Sequence, residues 1–296
     1  MSAVRDFPDI PLYSARFPGV QTTPLALNSP HSGRHYPAAF MAQSRLTPHA
    51  IRSSEDCYVD ELFANCVALG APILSANFPR AYLDVNREPY ELDAKMFDEP
   101  MPPFVNSQSL RVGGGLGTIP RIVGNGMEIY RRRLPLSEAT GRIETIYRPY
   151  HKALRAMLAG THTNFGHAVL LDCHSMPGSI RLGENGMRPD VIVGDRFGTS
   201  AARDLSHAAI HLLQAQGFVV AHNKPYAGGF ITEYYGKPAL GFHALQIEVN
   251  RCLYMDEQNC AKTGDFSAVR IAIDSFLSGF VTFIDENVFR LPLAAE

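Results

Sequence analysis

The sequence predicts an α/β fold, a single domain over residues 1–296 with helices on both faces of a central sheet. Three observations predict it. Short apolar runs of strand length alternate with helix-period patterns along most of the chain. At 296 residues the chain is long enough to bury a large core. No repeat, low-complexity linker or long charge run divides it.

The elements follow in order. Residues 24–33, PLALNSPHSG, read as a short strand ending in a turn. Residues 49–70 carry Val59, Leu62, Phe63, Cys66, Val67 and Leu69 at helical spacing and stop at Gly70. Residues 71–88 begin as a strand and become irregular. Segment 104–126 is glycine-rich and reads as a loop; its GGGLG at 113–117 fails the GxGxxG pattern because position 118 is Thr118. A helix is expected over 137–160, from Ser137 and Glu138 to Gly160. The densest basic spot, Arg131–Arg133, reads as a solvated approach to that helix. Residues 167–178 and 190–198 are buried strands running into loops, and 199–217 is a helix. Strands at 218–226 and 243–251 and a helix at 265–287 close the chain.

Composition removes several functions. Lys and Arg number 27 against 29 Asp and Glu, a net charge of −2, so bulk charge draws no nucleic acid. The apolar runs fall well short of the roughly 20 residues that a membrane helix needs. Asp6, Pro8 and Asp9 stand where a signal peptide would be apolar. The five cysteines lack CxxC spacing and fit a reducing compartment, so a cytoplasmic location is expected. No P-loop, GxSxG or HExxH occurs.

What remains is a set of polar groups just beyond apolar runs, where open α/β sheets bind ligands. They are His31, Arg80, the pair Asn86-Arg87, His174, Asp195 and, inside LQIEV, Glu248. A carboxylate among Leu245, Ile247 and Val249 is costly unless paired, so Glu248 either pairs with a cation such as Arg251 or serves a site. Two histidines and a carboxylate are the minimal ligand set of a catalytic zinc ion. His31 and His174 are the best-placed histidines, and Glu55 or Asp56 offers the carboxylate.

NSPHSGRHYP (28–37), SEDCYVDEL (54–62), FPRAYLDVNR (78–87), YRPYHKAL (147–154), LLDCHSMPG (170–178), DVIVGDRFGTS (190–200), NKPYAGGFITEYYG (223–236) and ALQIEVNRCLYMDE (244–257) closely resemble the N-formylglutamate amidohydrolase family. The resemblance implies a zinc carboxypeptidase-like fold with a mixed, mostly parallel sheet. It implies hydrolysis of N-formyl-L-glutamate to L-glutamate and formate in histidine breakdown, with zinc or another divalent metal as cofactor. It implies His31, Asp56 and His174 as metal ligands, although Arg34 stands where the wider carboxypeptidase group has the acid of HxxE. Glu248 is the implied catalytic base and Arg80 the implied oxyanion partner.

A dianionic substrate calls for guanidinium forks. Arg87, with Asn86 beside it, is expected at the α-carboxylate; Arg181, Tyr226, Thr232 and His151 are further expected substrate contacts. Asp172 is placed to orient His174, and Asp84 to orient Arg80 or Arg87. The glycine-rich segments 113–117 and 226–229 are expected lids. The expected partner is a small N-acyl amino acid, with no nucleic acid and no membrane. Competing expectations are a zinc deacylase or carboxypeptidase for another N-acyl amino acid, and a non-catalytic amino-acid-binding relative.

Overall fold

The computed structural model describes Phe7, residues 10–183 and residues 186–287. Asp6, Pro8 and Asp9, on which the expectation of no leader rests, lie outside the described residues. The chain forms two compact units, one built around Pro30–Cys57 and Ser75–Leu154, the other around Ala15–Ser29, Tyr58–Leu74 and the chain from Arg155 onward. No linker marks this division in the sequence, because each unit is assembled from separated segments.

The strands are β1 (Tyr13–Arg16), β2 (Leu25–Ser29), β3 (Ile73–Ala76), β4 (Ala168–Met176), β5 (Val191–Gly194), β6 (Val220–His222) and β7 (Phe242–Asn250), with a small hairpin of β8 (Met255–Asp256) and β9 (Ala261–Lys262). The seven-stranded sheet has the order β1-β3-β2-β4-β7-β5-β6. β4 is parallel to both β2 and β7, and β6 is parallel to β5, but β5 runs antiparallel to β7. The mixed, mostly parallel sheet is therefore the one expected. Every residue of β2 and β4 is buried, which is why both read as continuous apolar runs rather than alternations.

The helices are α1 (Ala38–Gln43), α2 (Val59–Leu62), α3 (Leu110–Gly113), α4 (Leu136–Arg142), α5 (Arg148–Phe165), α6 (Arg203–Ala215), α7 (Phe230–Tyr235) and α8 (Phe266–Asn287). A π turn, Ile143–Tyr147, joins α4 to α5. The expected helix over 49–70 is not continuous. It breaks into 3-10 turns at Ala50–Ser54 and Ala64–Val67 around the short α2. The cause is tertiary: Asp56 N donates to His31 O at 3.0 Å, and Tyr58 takes a left-handed φ of 64°. The glycine-rich loop likewise contains α3, capped by Ser109.

By length and composition alone, α8 passes for a membrane span. Its stripe of Val269, Ile273, Phe276, Phe280 and Ile284 is buried, and it packs on α6 and α2. Gly279 faces Leu212 of α6, whose Cδ2 would lie 2.9 Å from a Cβ placed there.

The N-terminal end of β7 supplies a test of stability. The buried His243 Nδ1 accepts a hydrogen bond from Ala202 N, at the cap of α6, at 3.2 Å. Burial, then the neighbouring His167, lower its pKa from 6.5 to about 4. Between those values the unfolded chain holds the proton and the folded chain does not. The contribution is whole above pH 6.5 and is lost as pH falls toward about 4. His243→Asn keeps an acceptor without a titration. Its urea midpoint is expected to fall less than the parent's between neutral pH and about pH 5. An identical fall in both proteins would contradict this.

Candidate active site

In the unit holding Pro30–Cys57, His31 follows the end of β2 by two residues and is buried. The turn is tight there: a Cβ on Gly33 would lie 2.1 Å from Phe78 O, so only glycine fits. His31 Nε2 donates to Asp84 Oδ1 at 2.8 Å. That bond leaves Nδ1 as the donor atom for a metal, and it lies 3.4 Å from Asp56 Oδ2. Two ligands about 2.0–2.1 Å from one tetrahedral zinc ion stand about 3.4 Å apart, so this spacing already suits a shared ion. The neighbouring Glu55 is committed elsewhere. It accepts two bonds from Arg52 at 2.9 Å and one from Tyr36 Oη at 3.1 Å.

Asp84 is the centre of this half. It accepts from Arg80 Nε at 3.0 Å and from Asn86 N at 2.8 Å, and Arg87 Nε is 3.7 Å away. Burial opposes its charge, but Arg87, His31 and Arg80 outweigh burial and hold the carboxyl well below the usual range. It therefore stays ionised and fixes one imidazole and one guanidinium at once. The sequence placed it beside the arginines and missed its bond to His31.

Arg87 is buried, which pulls its guanidinium below the usual value against the attraction of Asp84. Its Nε donates to Leu116 O and its Nη1 to Asn86 O, both at 2.8 Å. Its Nη2 takes part in no hydrogen bond among the described residues. His151 is buried on α5 and donates from Nε2 to Val85 O at 2.9 Å, while Tyr147 Oη donates to Arg87 O at 2.7 Å. The two rings brace the segment that carries Asp84, Asn86 and Arg87. Segment 113–117 supports the same stretch, since Leu116 O receives Arg87 and the adjacent Thr118 O receives Asp84 N at 2.8 Å.

In the unit from Arg155 onward, β4 and β7 pair in parallel with His174 opposite Glu248 and Asp172 opposite Gln246. His174 Nε2 donates to Asp172 Oδ2 at 2.9 Å, and Asp172 Oδ1 accepts from Asn28 Nδ2 at 2.7 Å. Nδ1 is again the imidazole nitrogen assigned to a ligand. Glu248 is buried, and its Oε1 accepts from Gln246 Nε2 at 2.8 Å. Gln246 in turn accepts from Gly229 N at 2.8 Å. Arg251 donates to Ser175 Oγ at 2.9 Å and lies 3.8 Å from Glu257, so these contacts turn it toward β4 and the loop beyond β8.

Asp195 corrects the strand-end pattern. β5 is antiparallel to β7, so Asp195 leaves the sheet at the opposite end from the carboxyl ends of β4 and β7. Its carboxylate accepts from Asn223 Nδ2 at 2.7 Å and Gly198 N at 2.9 Å and pairs with His222 at 3.0 Å, a structural knot. Arg181 is exposed, and its Nη1 donates to Gly178 O and Ile180 O at 2.8 Å, within its own loop. Tyr226 is half-buried. Thr232 is fully buried on α7, and its hydroxyl has no hydrogen-bond partner among the described residues. Segment 226–229 is anchored by Arg196 N to Ala227 O at 2.7 Å and by Gly229 N to Gln246. Asn28 and Gln246 escaped the sequence reading. Gln246 was legible in principle, two residues before Glu248 on one strand face; Asn28 depends on its register opposite Asp172.

Comparison with known proteins agrees with this chemistry. The family model described as N-formylglutamate amidohydrolase matches residues 23–255. The N-formylglutamate deformylase of Pseudomonas aeruginosa is 29% identical over 239 residues, 79% of this chain and 83% of that protein. That of Pseudomonas putida is 30% identical over 241 residues, 79% of this chain and 82% of that protein. The crystal structure of N-formylglutamate amidohydrolase from Ralstonia eutropha superposes with a TM-score of 0.88 at 31% identity, covering 94% of this chain and 99% of that one. A gene product of Agrobacterium tumefaciens shares the fold at a TM-score of 0.65 and 16% identity, covering 92% and 94%.

Proposed function

We propose, from the premise that this chain belongs to the N-formylglutamate amidohydrolase family and is a hydrolase acting on an amide, that it hydrolyses N-formyl-L-glutamate to L-glutamate and formate. The reading carries a divalent metal, zinc or an ion of similar geometry, held by His31, Asp56 and His174. The observation that supports it is that, within one unit, the buried His31 Nδ1 and Asp56 Oδ2 lie 3.4 Å apart, the spacing of two ligands on one ion, while in the other unit the buried His174 has its Nε2 taken by Asp172. Two imidazoles and a carboxylate fit such an ion, and Asp84 and Asp172 orient the two rings.

When bound, the ion supplies acidity to water and polarises a carbonyl oxygen. The protein supplies the rest. Glu248 takes a proton from the attacking water and delivers it to the amide nitrogen. The new C–O bond makes formate, the C–N bond breaks, and its electron pair leaves with glutamate as the amine. Arg80 faces the negative charge that develops on the formyl oxygen. Arg87 offers Nη2 to the α-carboxylate, with Asn86 beside it, and Arg181, Tyr226, Thr232 and His151 complete the proposed substrate contacts. A formyl group is the smallest acyl group, so a site built for it rejects larger ones by volume.

A panel of N-formyl-, N-acetyl- and N-succinyl-L-glutamate with N-formyl-L-aspartate tests the substrate. The formylglutamate kcat/KM is expected to exceed the others. Acetyl- or succinylglutamate turned over as well or better would instead make the chain a deacylase of another N-acyl amino acid. On the preferred substrate, Arg87→Lys keeps the charge but loses the bonds to Leu116 O and Asn86 O that hold Nη2 in place, so KM is expected to rise about tenfold or more. An unchanged KM would remove Arg87 from the carboxylate site.

A further inference from the structure

The hydrolase chemistry leaves Arg131–Arg133 without a role. The three arginines line a cavity of about 240 Å³ together with Arg45, Lys95 and Arg121. All of these residues belong to the unit built around Pro30–Cys57 and Ser75–Leu154. One carboxylate, Glu128, shares the lining and is already taken, by Arg45 at 2.9 Å and Arg121 at 3.4 Å. Asp93 also pairs with Arg121, at 2.8 Å. Arg131 donates from Nε to Ser44 O at 2.7 Å. The side chains of Lys95, Arg132 and Arg133 make no ion pair or hydrogen bond among the described residues, and all three residues are exposed. Six cations less two carboxylates leave about four positive charges around one hollow. Held together in a concavity, such charges repel one another and raise the local concentration of anions.

We propose that this cavity binds a compact phosphate polyanion, such as pyrophosphate or a small metabolite carrying a diphosphate. Charge and size select that class. A monocarboxylate or dicarboxylate leaves half or more of the excess charge unanswered, whereas a diphosphate meets it. The cavity is smaller than the roughly 300–1,000 Å³ of drug-sized ligand pockets, which favours a compact anion. Guanidinium forks suit phosphate oxygens, and Lys95 adds a point charge. The overall charge of −2 excludes a nucleic-acid surface but not a local anion pocket. The proposal is independent of the hydrolase reading.

Isothermal titration of the full-length protein with sodium pyrophosphate tests it, beside the Arg132→Gln/Arg133→Gln double variant and, as a milder change, Lys95→Gln. The parent is expected to bind at sub-millimolar concentration, the double variant about tenfold or more weakly, and Lys95→Gln in between. All three are expected to melt alike. Citrate, of similar charge, is expected to bind more weakly than pyrophosphate. Equal affinity in parent and double variant would overturn the site, since pyrophosphate then binds elsewhere. Absence of binding up to about 10 mM would overturn it too. Citrate bound as tightly as pyrophosphate would overturn the phosphate assignment.

Discussion

Glu248→Gln is expected to lower kcat on N-formyl-L-glutamate by about 10²–10⁴-fold while metal content and melting temperature stay at parental values. The substitution is nearly isosteric. It preserves the bond from Gln246 Nε2, because an amide oxygen accepts as a carboxylate does. Strand pairing of β7 with β4 is untouched, so residue 248 stays opposite His174. Only the capacity to take a proton disappears. The buried Glu248 is also where a merely structural ion pair was the alternative, and the two readings diverge here. A structural role costs stability, whereas the proposed role costs turnover. Near-parental kcat in the variant would remove Glu248 as the base.

His174→Ala is expected to abolish stoichiometric metal binding, and activity with it, while the sheet remains folded. Alanine leaves two proposed ligands, His31 and Asp56, too few to hold a divalent ion in a three-ligand site. Asp172 keeps its bond from Asn28 in the variant, which limits the structural cost of losing the imidazole. Asp172→Asn is the finer probe. It keeps all three ligands but replaces the carboxylate that orients the ring, so metal affinity is expected to fall about 10–100-fold. Elemental analysis after dialysis against a metal buffer reads both. Full metal and full activity in His174→Ala would remove it from the ligand set.

Strands β2 and β4 were legible because burial on both faces writes apolar runs into a sequence, and β7 because Leu245, Ile247 and Val249 recur at every second position. His31 and His174 were legible as polar residues interrupting or ending those runs. Strand direction was not. DVIVGD reads the same whether β5 runs with β7 or against it, and Asp195 was therefore grouped with residues at the other end of the sheet. The helix expected over 49–70 failed for a related reason. Its apolar spacing was real, but a backbone bond from Asp56 to His31 and the left-handed Tyr58 override propensity. Spacing alone left Glu55 or Asp56 open and the family resemblance implied Asp56; the Arg52 fork that occupies Glu55 supports that proposal. Asp84 was legible beside Arg80 and Arg87, four and three residues away, whereas its bond to His31 spans 53 positions that no local pattern encodes.

The most direct measurement is formate released from N-formyl-L-glutamate by metal-loaded protein, by protein stripped with a chelator, and by stripped protein given back one equivalent of zinc. The account predicts formate equimolar with glutamate from the loaded protein, none above background after stripping, and recovery on restoring the ion. Sustained release from the stripped protein, or none from the loaded one, would contradict it.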